Sequence, residues 1–246
     1  MNSRLAKQIF YAAGYLSALF LAVFIIYLIW FKSAATCFDN RRNQNETGID
    51  CGGQCPACEI KTLILPEVSW LKYFPADNQI IVAAEIKNSN LNYAADFFSY
   101  TIDIYDNGGV KIKSLMKNSF IYAGEIKYLV EPVEIDSKKI KEIKISFSNI
   151  NWKLNEEFKK PTAQLREIKT ESTVVSGFLT NNNAFRLSKI RIFGFLYNQY
   201  GILIGASKTE LENISAFEEK FFKINFPKNL SDINPNKTKV YAEAIR

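Results

Sequence analysis

The chain contains no histidine. That absence removes Ser-His-Asp and Cys-His catalysis, an imidazole base titrating near neutral pH, and any His-ligated zinc. Also missing are a P-loop and a G-x-G-x-x-G turn after a strand, the short glycine motifs that cradle phosphates. The 25 acidic residues are scattered, and no pair stands out for acid–base work. An Asp, Glu and Lys site assembled only in three dimensions is the remaining enzymatic route. The expectation is a non-catalytic protein that uses no cofactor.

No block of one charge is present either. The 31 Lys and Arg residues exceed the acidic ones by a net +6, but they are dispersed along the chain. A nucleic-acid footprint needs them gathered on one face, so nucleic acid is not an expected partner. The composition, 48% hydrophobic and 14% aromatic, supports a packed core and argues against disorder. Cysteine is scarce: all four fall between positions 37 and 58.

Among the features present, the first is a run of 23 residues, 9–31 (IFYAAGYLSALFLAVFIIYLIWF), without charge or proline. As a helix it reaches roughly 35 Å, enough to cross a hydrocarbon core of about 30 Å with some tilt. Lipid offers the backbone no hydrogen bonds, so such a run is stable there only as a helix. A secretory signal has a shorter apolar core and a small-residue cleavage site. Ser33-Ala34-Ala35 faintly resembles one, yet Trp30, Phe31 and Lys32 have the character of interfacial residues closing a span. Ala34-Ala35-Thr36-Cys37 does not fit a lipoprotein signal, and the run is too uniformly apolar for an amphipathic core helix. A retained anchor over 9–31 is expected, with the lipid bilayer as its partner. Arg4 and Lys7 before the run and Lys32, Arg41 and Arg42 after it barely orient it. The clustered cysteines do better, since a small stapled segment belongs in an oxidising compartment. On that reading residues 1–8 are cytoplasmic, and 32–60 form a Cys-rich stalk outside.

The segment CFDNRRNQNETGIDCGGQCPAC is rich in Gly, Asn and Asp and poor in apolar residues. It therefore makes turns, and needs covalent staples to hold a shape. Cys37, Cys51, Cys55 and Cys58 allow three pairings, which sequence does not choose between. A four-cysteine zinc site usually takes two C-x-x-C knuckles, and only Cys55-Pro56-Ala57-Cys58 qualifies. A redox C-x-x-C wants a thioredoxin-like context, which does not follow. Asp39, Glu46 and Asp50 are candidate calcium ligands, because hard cations take clustered oxygens. Structural disulfides, with no metal, are the expected state. The segment resembles a small module of bacterial and eukaryotic surface proteins, C-x-D-x-x-x-N-x-x-E-x-x-x-D-C-G-G-x-C-x-x-C. Here that pattern is filled by Cys37, Asp39, Asn43, Glu46, Asp50, Cys51, Gly52, Gly53, Cys55 and Cys58. One departure is Asn40-Arg41, where a glycine is usual after the aspartate.

Beyond position 60 the pattern changes to short β-branched or alternating runs cut by Asn, Gly and Pro. Strands are expected over 80–86, 99–105, 120–121, 128–130 and 143–147, then over 173–179, 189–197, 202–207, 220–226 and 237–244. No amphipathic helix intervenes. The second series repeats the first at a spacing of about 90 residues, a domain-sized duplication. Glu85-Ile86-Lys87-Asn88-Ser89-Asn90 corresponds to Phe178-Leu179-Thr180-Asn181-Asn182-Asn183, and 103–109 corresponds to 195–201. The fold class expected is mainly β: two tandem immunoglobulin-like antiparallel β-sandwiches, 61–157 and 158–246, behind one N-terminal transmembrane α-helix. The polar stretch 155–161 marks the boundary.

Phe193-Gly194-Phe195-Leu196-Tyr197-Asn198 resembles the core motif of the FxLYD family of extracytoplasmic bacterial domains, with Asn where that family has Asp. The first copy keeps Tyr105-Asp106 but carries Ile102 and Ile104 instead of the aromatic. The resemblance implies an immunoglobulin-like sandwich outside the cytoplasm, without catalytic residues. Tyr105, Tyr197, Phe193 and Phe195 are read as structural core residues, since a tyrosine at a strand end is commonly a corner residue. Asn45, Asn213, Asn229 and Asn236 begin glycosylation sequons, which arise readily in a chain this rich in Asn and matter only in a eukaryotic host. The overall expectation is a membrane-anchored protein that binds, adheres to or scaffolds other envelope or surface proteins. The alternative is a ligand or calcium sensor that uses the Cys-rich loop.

Overall fold

In a computed structural model the described residues are 3–30, 36–228 and 230–245. Helix α1 (Ser3–Trp30) is longer than the apolar run, taking in Arg4 and Lys7 ahead of it. Phe31, Lys32 and Ser33-Ala34-Ala35, read above as span end and rival cleavage site, lie outside the described residues, as does Asn229. Within α1, Ala6–Leu28 is long and apolar enough to cross a membrane, and none of it is buried against protein. Phe10 is 79% exposed and Phe20 74%. A helix apolar on every side has no core-facing stripe to bury in water.

Residues 1–62 and 63–246 are two compact units. The described residues of the larger unit form twelve antiparallel strands. The first six are β1 (Glu67–Ala76), β2 (Gln79–Lys87), β3 (Tyr93–Tyr105), β4 (Lys111–Ile121), β5 (Ile126–Val133) and β6 (Glu142–Leu154), arranged as sheets β1-β2-β5 and β4-β3-β6. The next six are β7 (Ala163–Glu171), β8 (Val174–Asn181), β9 (Leu187–Tyr197), β10 (Leu203–Ile214), β11 (Glu219–Asn225) and β12 (Lys239–Ile245), arranged as β7-β8-β11 and β10-β9-β12. Strand for strand the second order repeats the first, giving two immunoglobulin-like sandwiches of one topology. Strands β1 and β7 were not anticipated. Both are sheet edges: β7 is mostly exposed, and β1 divides its inward residues between two cores across a register shift at Val68/Trp70, so neither carries the strict apolar alternation that marks a half-buried strand.

Each sandwich closes on its own core. Ile80, Val82, Ala84 and Ile86 of β2 meet Ile102 and Ile104 of β3 in the first, while Val175, Leu179, Ile190, Ile192 and Phe222 fill the second. Gly194 belongs to the second core for a steric reason. A Cβ there would stand 2.9 Å from the Phe226 ring and 3.0 Å from Ile224 Cδ1.

A third core lies between the sandwiches. Phe74, Ala83 and Val130 from the outer face of β1-β2-β5 pack on Phe193, Phe195, Leu203 and Ala206 from the outer face of β10-β9-β12. Strand β2 therefore buries both faces: its even positions 80–86 face one core, and Ile81 and Ala83 face the other. That explains its unbroken IIVAA run, which a half-solvated strand would interrupt with polar residues. Burial of this kind is worth roughly 25 cal/mol per Å² of apolar surface, and fuses the two sandwiches into one body.

Candidate functional site

The Cys-rich segment is held by Cys37–Cys55 and Cys51–Cys58. Gly52 (φ 77°) and Gly53 (φ 63°) take left-handed conformations, and the space beside them is already filled. A Cβ on Gly52 would lie 1.9 Å from Thr47 Oγ1, and one on Gly53 would lie 2.3 Å from the Asn45 carbonyl oxygen. Asn40, at the position where the module usually has glycine, has φ 58°. Asn tolerates that region better than most residues, so the departure from the pattern keeps the turn.

The three calcium candidates are occupied with backbone. Asp50 Oδ1 accepts from the Asp39 and Asn40 N–H groups at 3.0 and 3.1 Å. Asp39 accepts from the Asn43 side-chain amide at 2.8 Å and the Arg41 N–H at 2.9 Å. The Asn43 amide, followed by backbone N–H donors, holds the Asp39 carboxyl below the usual range. Glu46 is buried, and its Oε2 accepts from the Asn43 and Asp50 N–H groups at 3.2 and 3.1 Å. These carboxylates act as turn caps, each aimed at amides. Among the described residues the one compact group of possible ligand atoms is Cys37, Glu46 and Cys55, and its two sulfurs are joined to each other.

The aromatic residues of the FxLYD-like motif lie outside the core of their own sandwich. Phe193 and Phe195 point into the core between sandwiches, and Tyr197 packs at its margin. Phe195 meets Trp70 edge-on at 5.9 Å and Tyr128 at 4.9 Å, and Tyr128 stacks on Tyr241 at 4.4 Å. Tyr105 belongs to none of the three cores. It is half-buried, with Lys144 Nζ 5.2 Å above its ring. The neighbours of Phe195 come from both copies, Trp70 and Tyr128 from the first and Tyr241 from the second, a pairing that the sequence does not show.

Polar groups flank that core. Tyr122 Oη donates to the Ala244 carbonyl at 2.9 Å. Glu131 accepts from Tyr100 Oη at 3.0 Å and Lys208 Nζ at 2.8 Å. Burial, reinforced by Glu131, pushes the Tyr100 hydroxyl far above its ordinary value. Lys127 and Glu243 form an ion pair with both side chains buried. The boundary segment is anchored as well: Phe158 stacks on Tyr122 at 4.8 Å, and Lys160 pairs with Glu125 at 2.6 Å. Sequence reasoning missed these residues. The legible signal was the doubly apolar β2 and β9, which require a partner on each face.

One open cleft of about 430 Å³ runs between the sandwiches past Asp77, Gln79, Pro132, Lys208 and Pro227. Its polar side chains include Asp77, Ser207 and Lys208, and the last two are engaged: Ser207 Oγ donates to the Asn225 carbonyl at 2.7 Å and Lys208 Nζ to Glu131.

No protein-family profile matches the chain. No curated protein sequence matches it either. Among solved structures, that of red sea bream transglutaminase aligns with 72% of this chain and 31% of its own, at 10% identity and a TM-score of 0.23. A likeness that slight carries no argument about fold or activity.

Proposed function

We propose that the chain is a single-pass membrane protein whose stapled segment and double sandwich stand outside the cytoplasm as a non-catalytic binding or scaffolding element. The supporting observation is α1, whose large apolar side chains are exposed all round. Water penalises that surface and a bilayer welcomes it. Two disulfides in the stretch after α1 favour an oxidising side for the body, hence a cytoplasmic 1–8. The FxLYD-like motif fits the same bacterial envelope setting. The body would offer other envelope or surface proteins a rigid pair of sandwiches, using strand edges and loop ends.

A cysteine introduced at Met116, which is 67% exposed, tests the topology. With Met116→Cys, a membrane-impermeant maleimide should label intact cells. Labelling only after lysis would overturn the orientation. Crosslinking in the native membrane would then identify the partner. Recovery of the chain with no other envelope or surface protein attached would count against a scaffolding role.

A further inference from the structure

We propose that Lys127 and Glu243 condense to an amide, so that an intramolecular isopeptide bond joins the two sandwiches. Among the ion pairs of the described residues, this is the one with both side chains under a tenth exposed, at 2% and 6%. The other pairs keep at least one partner in water. Lys127 leaves β5 and Glu243 leaves β12, so their junction spans the seam.

The surroundings suit condensation better than they suit a salt bridge. Lys127 Nζ lies 4.0 Å above the Phe120 ring, an apolar floor. Beyond the contact between them, neither Nζ nor either Glu243 oxygen has a hydrogen-bond partner. Arg191 Nη1 is 3.8 Å from Oε1. A buried ion pair offsets its desolvation only when further hydrogen bonds satisfy the remaining donors and lone pairs, and here they are missing. Burial also pushes the Lys127 ammonium below its ordinary value, toward the neutral amine that is the nucleophile.

The step balances without a co-reactant. One proton passes from the ammonium to the carboxylate, giving neutral amine and acid. The amine nitrogen attacks the Glu243 carboxyl carbon, a C–N bond forms, and the oxygen near Arg191 takes up the developing negative charge. One amine proton goes to the departing hydroxyl, the C–O bond breaks, and water leaves. A cavity of about 90 Å³ beside the pair, lined by Glu125, Tyr128, Lys160 and Tyr241, gives that water an exit. In dilute water such a condensation runs backwards. Held in contact by two folded sandwiches, the groups have an effective concentration on the order of 10⁵ M or more, which drives it forward.

Intact mass of the full chain, denatured and with its disulfides reduced, tests this directly. The expected mass is lighter than that of the sequence by one water. Proteolysis should give a single branched peptide containing Lys127 and Glu243, and Lys127→Arg should restore the full mass. A wild-type chain at its full sequence mass overturns the proposal, whatever the variant does. So does a water deficit that persists in Lys127→Arg or maps to other residues.

Discussion

Asn88 and Asn181 occupy the same point in the two sandwiches and hold it with hydrogen bonds of the same kind, side-chain amide to backbone carbonyl. Each is fully buried at the end of the second strand of its copy. Asn88 Nδ2 donates to the carbonyls of Tyr93 and Tyr122 at 2.7 and 3.0 Å. Asn181 Nδ2 donates to those of Phe185, Ile214 and Ser215 at 2.9, 3.3 and 2.8 Å. Their Oδ1 atoms accept from the N–H and side-chain amide of Asn90 and Asn183 respectively. Those two residues in turn clasp Ile64 and Thr162, just ahead of the first strand of each copy.

The asparagine is thus the node that ties three chain segments at one end of each sandwich. Replacing it with alanine leaves buried carbonyls unpaired, at about 1–3 kcal/mol for the group stranded. Asn181→Ala should lower unfolding free energy by about 3 kcal/mol and Asn88→Ala by a similar amount. Denaturant unfolding checks this. A loss below about 0.5 kcal/mol would mean that water replaces the amide.

The core between sandwiches makes a second prediction. Phe195 is 1% exposed and touches Trp70, Tyr128 and Tyr241. Phe195→Ala should cost about 3–5 kcal/mol, the usual range for a buried aromatic. Because the cavity falls on the seam, hydrogen exchange should rise in β1, β5 and β12 before it rises in either sandwich core. Equal protection losses throughout would show that the seam does not open separately.

Much of this architecture was legible in the sequence. The repeated Asn-x-Asn turns, Asn88-Ser89-Asn90 and Asn181-Asn182-Asn183, announced the duplication, and polar-Gly turns after Tyr105 and Tyr197 announced the hairpins. In both hairpins the structure uses the residue after the tyrosine identically. Asp106 Oδ1 accepts from the Gly108 and Val110 N–H groups, and Asn198 Oδ1 from those of Tyr200 and Ile202. An aspartate and an asparagine are interchangeable there because the turn needs only an acceptor oxygen. The edge strands were hidden because solvent faces impose no period. The seam was hidden because it pairs residues far apart in sequence, Tyr128 with Tyr241 and Lys127 with Glu243, and neither spacing nor composition encodes such a pairing.

For the Cys-rich segment the two disulfides differ in reach. Cys37–Cys55 spans 18 residues and Cys51–Cys58 spans 7. Closing a loop of about 15 residues removes about 3 kcal/mol of unfolded-chain entropy in the simplest account, and shorter loops remove less. Cys37→Ser with Cys55→Ser should therefore loosen the segment more than Cys51→Ser with Cys58→Ser. Amide exchange at Glu46 and Asp50 would report it, and the melting of the sandwiches should stay unchanged in both variants.

Acid should weaken the protein through specific carboxylates. The Ser114 hydroxyl holds the Asp103 carboxyl below its ordinary value, the Lys189 ammonium does so for Glu210, and the Ser215 N–H for Glu218. A carboxylate whose folded value is depressed contributes stability that is fully present above its unfolded value. That contribution is lost as pH falls through the folded one. Stability should therefore be flat down to about pH 5 and fall below about pH 4, with a shallower fall in Glu210→Gln. An unaltered acid slope in that variant would remove Glu210 from the account.

Calcium should leave the Cys-rich segment unmoved. A hard cation takes six to eight oxygens at roughly 2.3–2.6 Å, converging on one point. Here the Asp50 carboxylate is bonded to the Asp39 and Asn40 N–H groups, and Glu46 Oε2 to those of Asn43 and Asp50. Recruiting them for a metal would strand those amides, a cost of about 1–3 kcal/mol for each one left buried. Titration calorimetry with millimolar calcium should accordingly show no stoichiometric heat, and amide exchange of Asn43 and Asp50 should not slow. A tight one-to-one binding curve, with the Asn43 and Asp50 amides exchanging faster, would show instead that the carboxylates turn away from the backbone to form a cation site.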